Sequence, residues 1–342
     1  MLKDIKKSVL CLALVVIFIT SLTIQSPATE SLNANVETHP VIIDTDFASD
    51  ADDVVALELA TIMQDKGLID IKGIALSTTY SRSPMAISAL IRQNKHSNIP
   101  IAMDTSNGVQ VATKYVDAIY ESGYSEYISP VSLYRKILAS SNEKVSIITL
   151  GFLQNIEDLL KSGPDNYSSL TGAELVAKKV DTMYVVGGNL DDRPSFNFYW
   201  GTGRSTTDAA QYVNKTFPGR IVYFTEEMGN DVFCGGFYAK EDARQSNLIT
   251  KALTSNNQQY GVVAWDPFAV FVAVQDMYDV LDEYDIGIEN GSSYISDTGA
   301  FSWTKTDTEN SIRQIFTKGR YGGEYNQYLN GMLHSKFIKE NN

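Results

Sequence analysis

Short apolar runs alternate with amphipathic stretches along most of the chain. Several of the runs are continuous and bounded by polar residues or glycine, which is typical of strands buried on both faces of a sheet. The predicted strands are Val41–Asp44, Ile71–Leu76, Val145–Leu150, Thr182–Val186 and Arg220–Phe224. The helical patterns are Asp52–Met63, Pro84–Arg92, Leu153–Leu160, Thr207–Val213 and Pro267–Asp276. Strands and helices that alternate at this spacing predict an α/β fold, with a mostly parallel central sheet flanked by helices.

The first thirty residues do not follow this alternation. Lysines near the start precede an apolar run from Val9 to Leu22, and small and polar residues follow as far as Thr29. This order predicts a secretory signal peptide over residues 1–28, a short polar leader over residues 29–39, and export to the periplasm or the medium. An uncleaved membrane anchor is the alternative, but a run of about 14 residues is shorter than the roughly 20 that a spanning helix needs.

No repeat, low-complexity tract or Pro/Gly-rich linker divides residues 40–342, which are expected to form a single domain. The whole chain has 342 residues, 41 of them acidic and 28 basic, and a formal net charge of −13. Binding to nucleic acid or to anionic lipid requires a basic patch, so this charge argues against both as main partners. It fits a neutral or cationic small molecule, or a metal that offsets the acids. A homo-oligomer stays open.

An acidic loop directly after the first predicted strand is the strongest chemical signal. In the ten residues from Asp44 to Asp53, five are aspartate, and helix capping accounts for one or two of them. Like charges this close raise one another's pKa unless a cation compensates them. Carboxylate oxygens are hard ligands that suit Ca²⁺ or Mg²⁺. The loop therefore predicts a metal site at the carboxyl end of the sheet, where ligands bind in such folds.

Two other interpretations of this loop fit its spacing poorly. A calcium-binding helix-loop-helix needs an oxygen ligand and then a glycine at places where this chain has Ala48 and Ser49. A phosphatase with an aspartate nucleophile would use Asp44 and Asp46 but would not need the aspartates that follow.

The acidic loop resembles the signature of the nucleoside hydrolases, the inosine-uridine nucleoside N-ribohydrolase family. It resembles a longer variant of that signature, with two extra residues before the final pair of aspartates. Phe47 and Ala48 stand where proline and glycine are usual. Because of the extra residues, either Asp50 or Asp52 could fill the first place of the pair. Asp52 is favoured, since the pair Asp52-Asp53 then directly precedes the helix.

Further segments resemble family motifs at family-like spacing. They are Ile147–Asn155, with a Gly-x-Leu-x-Asn-like turn, Val185–Asn189, Ser195–Asn197 and Ala264–Pro267. Two departures concern ribose binding: Ser195 stands in place of a glutamate, and the stretch from Ser77 to Ser83 lacks an asparagine that often contacts ribose. The segment from Phe224 to Gly229 resembles a Glu-x-Gly turn of some members and is given no role.

The resemblance implies a Rossmann-like nucleoside hydrolase fold and a catalytic domain over residues 40–342. It implies calcium-dependent hydrolysis of the N-glycosidic bond of ribonucleosides, which gives free base and ribose. The implied ligands of Ca²⁺ are Asp46, Asp53, Asp266 and the backbone carbonyl of Leu150. The ion would hold the ribose 2′ and 3′ hydroxyls and a water molecule, and Asp46 is the candidate general base. The implied ribose contacts are Asp52, Asn189 and Asn197.

Protonation of the leaving base is expected to involve Trp265. Some members of the family have a histidine just before the last metal aspartate, whereas purine-preferring members have a tryptophan that stacks on the base. Trp265 occupies this place, so it is a candidate catalytic residue and a purine preference is expected; the alternative is a core aromatic. Two other functions stay open, a non-catalytic extracellular protein that binds nucleosides or ribosides, and a hydrolase of a different N-riboside.

Overall fold

The structure is a computed structural model, and it describes residues 37–47, 50–103, 109, 113–122, 127–200, 203–242, 246–308 and 311–341. The predicted signal peptide, most of the leader, and Ala48 and Ser49 of the acidic loop lie outside these ranges. In the part of the chain that is described, no helix is both long enough and apolar enough to cross a membrane.

The strands alternate with helices as the hydrophobic pattern predicts. They are β1 (His39–Thr45), β2 (Ile69–Leu76), β3 (Ile101–Met103), β4 (Val145–Thr149), β5 (Val180–Val186), β6 (Arg220–Phe224), β7 (Phe233–Cys234), β8 (Val262–Val263), β9 (Ile286–Ile295), β10 (Phe301–Lys305) and β11 (Arg313–Lys318). Within the described ranges, nine of them form one sheet in the order β10-β9-β11-β6-β5-β4-β1-β2-β3, and β7 pairs with β8.

The central sheet is mostly parallel, which confirms the predicted fold class. All strands from β3 to β11 along this order run parallel, and only the pairings of β9, with β11 on one side and with β10 on the other, are antiparallel. The five predicted strands correspond to β1, β2, β4, β5 and β6. The chain folds as one domain around this sheet.

Helices cover both faces of the sheet. They are α1 (Asp52–Asp65), α2 (Ser83–Gln93), α3 (Lys114–Ile119), α4 (Pro130–Ser140), α5 (Gln154–Lys161), α6 (Gly172–Lys179), α7 (Phe196–Tyr199), α8 (Thr206–Thr216), α9 (Glu226–Gly229), α10 (Gly236–Glu241), α11 (Leu248–Ser255), α12 (Trp265–Met277) and α13 (Gly322–Asn341), with a 3₁₀ turn at Leu281–Tyr284. Each of the five predicted helices overlaps one of them, and the last begins at Trp265, two residues before the predicted start.

Two hydrophobic cores lie on opposite sides of the sheet, because successive side chains of a strand point to opposite faces. Val41 and Ile43 of β1 belong to the core that includes α1 and α12, whereas Ile42 belongs to the core that includes α4 and α5. Helix α1 is buried from Asp52 to Met63 and packs against α12. This packing brings the first turns of α1 and α12 together at the carboxyl end of β1.

Candidate active-site cleft

A cleft of about 180 Å³ lies at the carboxyl ends of β1, β4, β5 and β6. Its lining residues are Asp46, Asp50, Asp52, Asp53, Leu150, Val186, Gly187, Ser195, Phe196, Asn197, Glu226, Trp265 and Asp266. They come from the turns after four adjacent strands and from the first turn of α12. The cleft thus brings together all the sequence-predicted site residues except Asn189, together with Asp50, the alternative to Asp52.

The acidic loop is held by its own backbone and by Thr45. The Phe47 backbone has a φ of +46°, in the left-handed region that few non-glycine residues adopt. Its ring is buried and meets Tyr115 edge-on, with 5.3 Å between ring centroids. The Phe47 N–H donates to Thr45 Oγ1 at 3.1 Å, and the Thr45 hydroxyl donates to Asp53. This anchored turn fixes Asp53 at the start of α1.

Three buried carboxyl groups meet at the junction of α1 and α12. One oxygen from each of Asp52, Asp53 and Asp266 lies within 4.8 Å of the others. The Asp266 backbone N–H donates to Asp52 Oδ2 at 3.2 Å, which ties the two helix starts to each other. Asp46 lies outside this group of three but lines the same cleft and is also buried. The structure therefore gathers the predicted acidic residues on one wall.

The acidic wall combines burial with mutual repulsion between its carboxyl groups. Burial raises the pKa of Asp52 well above its usual range, and the charges of Asp266 and Asp50 raise it further. Burial likewise raises the pKa of Asp266, and Asp53 and Asp46 add to the effect. Among the described lining residues, six have carboxyl side chains and none is lysine or arginine. Such a group needs protons or a cation, and its hard oxygen donors suit Ca²⁺ or Mg²⁺.

The turn after β4 brings Leu150, whose carbonyl is the predicted backbone ligand, to the cleft. The Leu150 N–H donates to the Asp44 carbonyl at 2.7 Å, which continues the pairing of β4 with β1. A Cβ atom on Gly151 would lie 2.4 Å from the Asp46 nitrogen, so only glycine allows the two turns to approach this closely. Asn197 Nδ2 donates to the carbonyls of Leu150 and Val186, at 3.0 and 2.9 Å. In the structure, Asn197 therefore positions the Leu150 carbonyl.

Asp44, the first aspartate of the loop, forms hydrogen bonds behind the cleft. Its carboxyl group accepts from Tyr134 Oη at 2.7 Å and from Asn155 Nδ2 at 2.9 Å. Burial raises its pKa to about 7, although both hydrogen bonds oppose the shift. Asp44 does not line the cleft, so its hydrogen bonds connect β1 to α4 and α5.

The opposite wall contains a carboxyl group that the sequence did not single out. Glu226, at the start of α9 after β6, lines the cleft and is partly buried. Its Oε2 accepts from Asn189 Nδ2 at 2.6 Å, and its Oε1 from the Phe196 N–H at 3.4 Å. Asn189 is buried behind this carboxylate and does not line the cleft. The predicted contact of Asn189 with ribose remains a prediction.

Aromatic rings border the cleft beside Glu226. Trp265 is partly exposed, and its Nε1–H donates to the Glu226 carbonyl at 3.3 Å and to Asn230 Oδ1 at 3.1 Å. Gly229 lies against the indole, since a Cβ there would come within 2.5 Å of Trp265 Cδ1. Phe196 lines the cleft and stacks on Trp200, which is 50% exposed, with 5.4 Å between centroids. These rings form a flat apolar border that reaches the surface.

Histidine plays no part in this cleft. His39 packs edge-on against Tyr278, His96 bonds to Asp65, and His334 bonds to Glu241. The sequence has three histidines, and all three lie in the described ranges but away from the lining. An imidazole is therefore not the acid or base of this site.

No protein-family model matches the chain, and no curated protein sequence does. Solved structures with the same fold include an inosine-uridine preferring nucleoside hydrolase from Bacillus anthracis, with a TM-score of 0.61 and 16% identity, over 86% of this chain and 99% of that one. A purine-preferring ribonucleoside hydrolase from Gardnerella vaginalis has a TM-score of 0.63 and 14% identity, over 87% of this chain and 99% of that one.

A type III effector protein solved in complex with adenosine diphosphate ribose is also similar. Its TM-score is 0.62 and its identity 11%, over 91% of this chain and 99% of that one. Similarity at these identities shows that the chain has the nucleoside hydrolase fold, as the resemblance of its motifs implied.

Proposed function

We propose that this chain is a nucleoside hydrolase that uses Ca²⁺ to split the N-glycosidic bond of ribonucleosides into free base and ribose, with a preference for purines. The observation that carries the proposal is the buried wall of Asp46, Asp52, Asp53 and Asp266 at the carboxyl end of a nucleoside hydrolase fold. A structural role does not explain four buried carboxyl groups in a cleft whose described lining includes no lysine or arginine.

The donor set fits Ca²⁺. Asp46, Asp53, Asp266 and the Leu150 carbonyl would hold the ion, and Asp52, whose oxygen lies within 4.8 Å of Asp53 and Asp266, would contribute charge beside it. A bound Ca²⁺ supplies positive charge that offsets the acids and orients water and hydroxyl groups. Asn197 keeps the Leu150 carbonyl in place for this role.

Asp46 is the proposed general base. It lines the same cleft as Asp53 and Asp266 with little exposure, so a water at the ribose carbon can pass its proton to this carboxylate. N-glycosidic cleavage develops positive charge on the sugar ring, as glycoside hydrolysis does. The surrounding carboxylates stabilise that charge because they are fixed in place before the reaction begins.

Recognition of the base is assigned to the aromatic border. Trp265 is held by two hydrogen bonds at its indole nitrogen, so its ring is fixed rather than free to rotate. Phe196 adds a second ring that lines the cleft. Flat rings stack on either class of base, and the larger purine covers more of their surface. This supports the purine preference.

A second candidate function is binding of a riboside without hydrolysis, which the similar effector protein with bound adenosine diphosphate ribose suggests. In this chain the described residues of the cleft include no lysine or arginine that could bind a diphosphate. Its charge therefore favours an uncharged nucleoside.

We also propose export of the protein by the signal peptide over residues 1–28.

The proposal is tested by incubating the protein with a panel of ribonucleosides. Free base is measured by chromatography and ribose by a reducing-sugar assay, and the two should be released in equal amounts. We expect turnover of at least one purine nucleoside by the calcium-loaded protein. Tight binding of nucleosides without release of ribose would instead support the non-catalytic alternative.

The role of Trp265 has its own test. Trp265→Ala should slow the hydrolysis of inosine, mainly in turnover, and Trp265→Phe should retain part of the rate. Stacking on a base is worth about 1–3 kcal/mol in single-stranded nucleic-acid sites, so the loss should be roughly 10- to 100-fold. A nitrophenyl riboside, whose leaving group needs no protonation, is the control substrate. If Trp265→Ala slows this substrate as much as inosine, the ring packs the site and does not activate the base.

A further inference from the structure

Tyr115 is a buried tyrosine whose hydroxyl group has no hydrogen-bond partner among the described residues. Its side chain is fully buried, so water at the protein surface does not reach the hydroxyl group. A buried polar group without a partner costs free energy, and the large majority of such groups in native proteins have one. Neither the packing of the core nor the proposed function accounts for a hydroxyl group at this position.

The start of α3 fixes the ring of Tyr115. Thr113 caps this helix, since its hydroxyl accepts from the Val116 N–H at 3.2 Å. Tyr115 lies in the first turn, and its ring meets the ring of Phe47 edge-on, with 5.3 Å between the centroids. Phe47 is itself fully buried and belongs to the acidic loop. Tyr115 therefore packs directly against the loop that carries the aspartates.

The hydroxyl group of Tyr115 lies within electrostatic range of these aspartates. Burial raises its pKa well above the usual range, and the charges of four aspartates raise it further. From the largest effect to the smallest, they are Asp53, Asp46, Asp50 and Asp52. A phenol with a raised pKa keeps its proton at neutral pH and can donate a hydrogen bond. Such a donor favours the charged form of a carboxyl group, which burial opposes.

We propose that Tyr115 is a positioning residue of the calcium site, and that its hydroxyl donates a hydrogen bond to the acidic loop when the carboxyl groups of the loop are charged. The inference rests on the proposed function, in which Asp46 and Asp53 hold Ca²⁺. Asp53 is the assigned acceptor, because its charge acts most strongly on Tyr115. Thr45 Oγ1 and the Phe47 N–H donate to the same carboxyl group. Tyr115 does not line the cleft, so it acts through the loop and not on the substrate.

The experiment is a calorimetric titration of Ca²⁺ into the chelator-treated full chain, as wild type and as two variants. Tyr115→Phe removes only the hydroxyl group and keeps the ring contact with Phe47. Tyr223→Phe is the matched control. Tyr223 is also fully buried, but its hydroxyl donates to Asn214 Oδ1 at 2.7 Å, and it does not line the cleft.

We expect Tyr115→Phe to raise the calcium dissociation constant by roughly 10- to 100-fold, the effect of one hydrogen bond to a charged group. Its melting temperature without calcium should not fall, since the removed hydroxyl has no partner there to lose. Tyr223→Phe should show the opposite pattern, a lower melting temperature without calcium and an unchanged calcium dissociation constant. Ribose release by Tyr115→Phe should recover at saturating calcium, because the substituted residue acts only through the ion site.

The outcomes separate this inference from the proposed function. A calcium dissociation constant equal to that of the wild type, or a weaker one together with a lower melting temperature without calcium, overturns the role of Tyr115 and leaves the nucleoside hydrolase proposal intact. If the wild type binds calcium but releases no ribose from any nucleoside, the proposed function fails, and the titration still decides the role of Tyr115. If the wild type binds no calcium, the inference is overturned together with calcium dependence, and ribose release decides whether hydrolysis stands.

Discussion

Asp46→Asn should lower the turnover of inosine by roughly 10²- to 10⁴-fold, the range typical for loss of a general base. Asparagine keeps the size of the side chain and most of its hydrogen bonding, but it cannot accept a proton from water. The backbone contacts of residue 46, such as the bond from Thr78 Oγ1 to its carbonyl, remain. The rate is measured as ribose release at saturating substrate, with the melting temperature as a check on folding.

Asp70→Asn is the matched control for this variant. Asp70 lies at the start of β2, away from the cleft, and its half-exposed side chain pairs with Lys72. Exposed ion pairs contribute little to stability, so this variant should keep its rate. A near-normal rate in Asp46→Asn would remove Asp46 from the mechanism.

Removal of the metal should have an effect of similar size. Extensive chelation should abolish ribose release, because the cleft then lacks the cation that the proposed function places among its carboxylates, and added Ca²⁺ should restore it. Calcium should also raise the melting temperature, since an ion that binds only the folded state stabilises it by about 2.7 kcal/mol at 100 times its dissociation constant. Full activity of rigorously metal-free protein would contradict calcium dependence.

Asp266→Asn provides the binding control for the metal. It removes one carboxylate from the group formed with Asp52 and Asp53, so it should weaken both the calcium-induced rise in melting temperature and the restoration of activity. A variant that responds to calcium as strongly as the wild type would place the ion elsewhere.

The local sequence was sufficient to predict the centre of the fold. Strands such as β1 and β4 are continuous apolar runs, because the strands at the middle of a parallel sheet are buried on both faces. The antiparallel edge was missed for the opposite reason. In β9 most residues between the buried ends are half-exposed, so the run carries no strong apolar signal.

The acidic wall was predictable and the opposite wall was not. Asp46, Asp52 and Asp53 lie close together in the sequence, so one motif reveals them, and Asp266 was found through its resemblance to a family motif. Glu226 is adjacent to Glu227 in a turn, and the sequence does not show which of the two faces the cleft. The only sequence signal for Glu226 was its position as an acidic residue shortly after a predicted strand.

Asn189 and Asn197 show the same limit. Both are predicted to hold ribose, and this stays a prediction; in the structure their amide groups bond to protein atoms, to Glu226 in one case and to two backbone carbonyls in the other. Side-chain partners that come from different strands depend on the packing of those strands, and the spacing of residues along the chain does not specify them. The aspartates of the loop avoid this limit since one turn places them all.

The release of free base and ribose from inosine by the calcium-loaded wild-type protein tests the central claim most directly, with Asp46→Asn purified in the same way beside it. We expect equal amounts of hypoxanthine and ribose from the wild type, and a rate at least 100-fold lower from the variant, the smallest loss typical of a missing general base. Equal rates in the two preparations, or no ribose from any nucleoside, would contradict the assignment of this cleft as a nucleoside hydrolase active site.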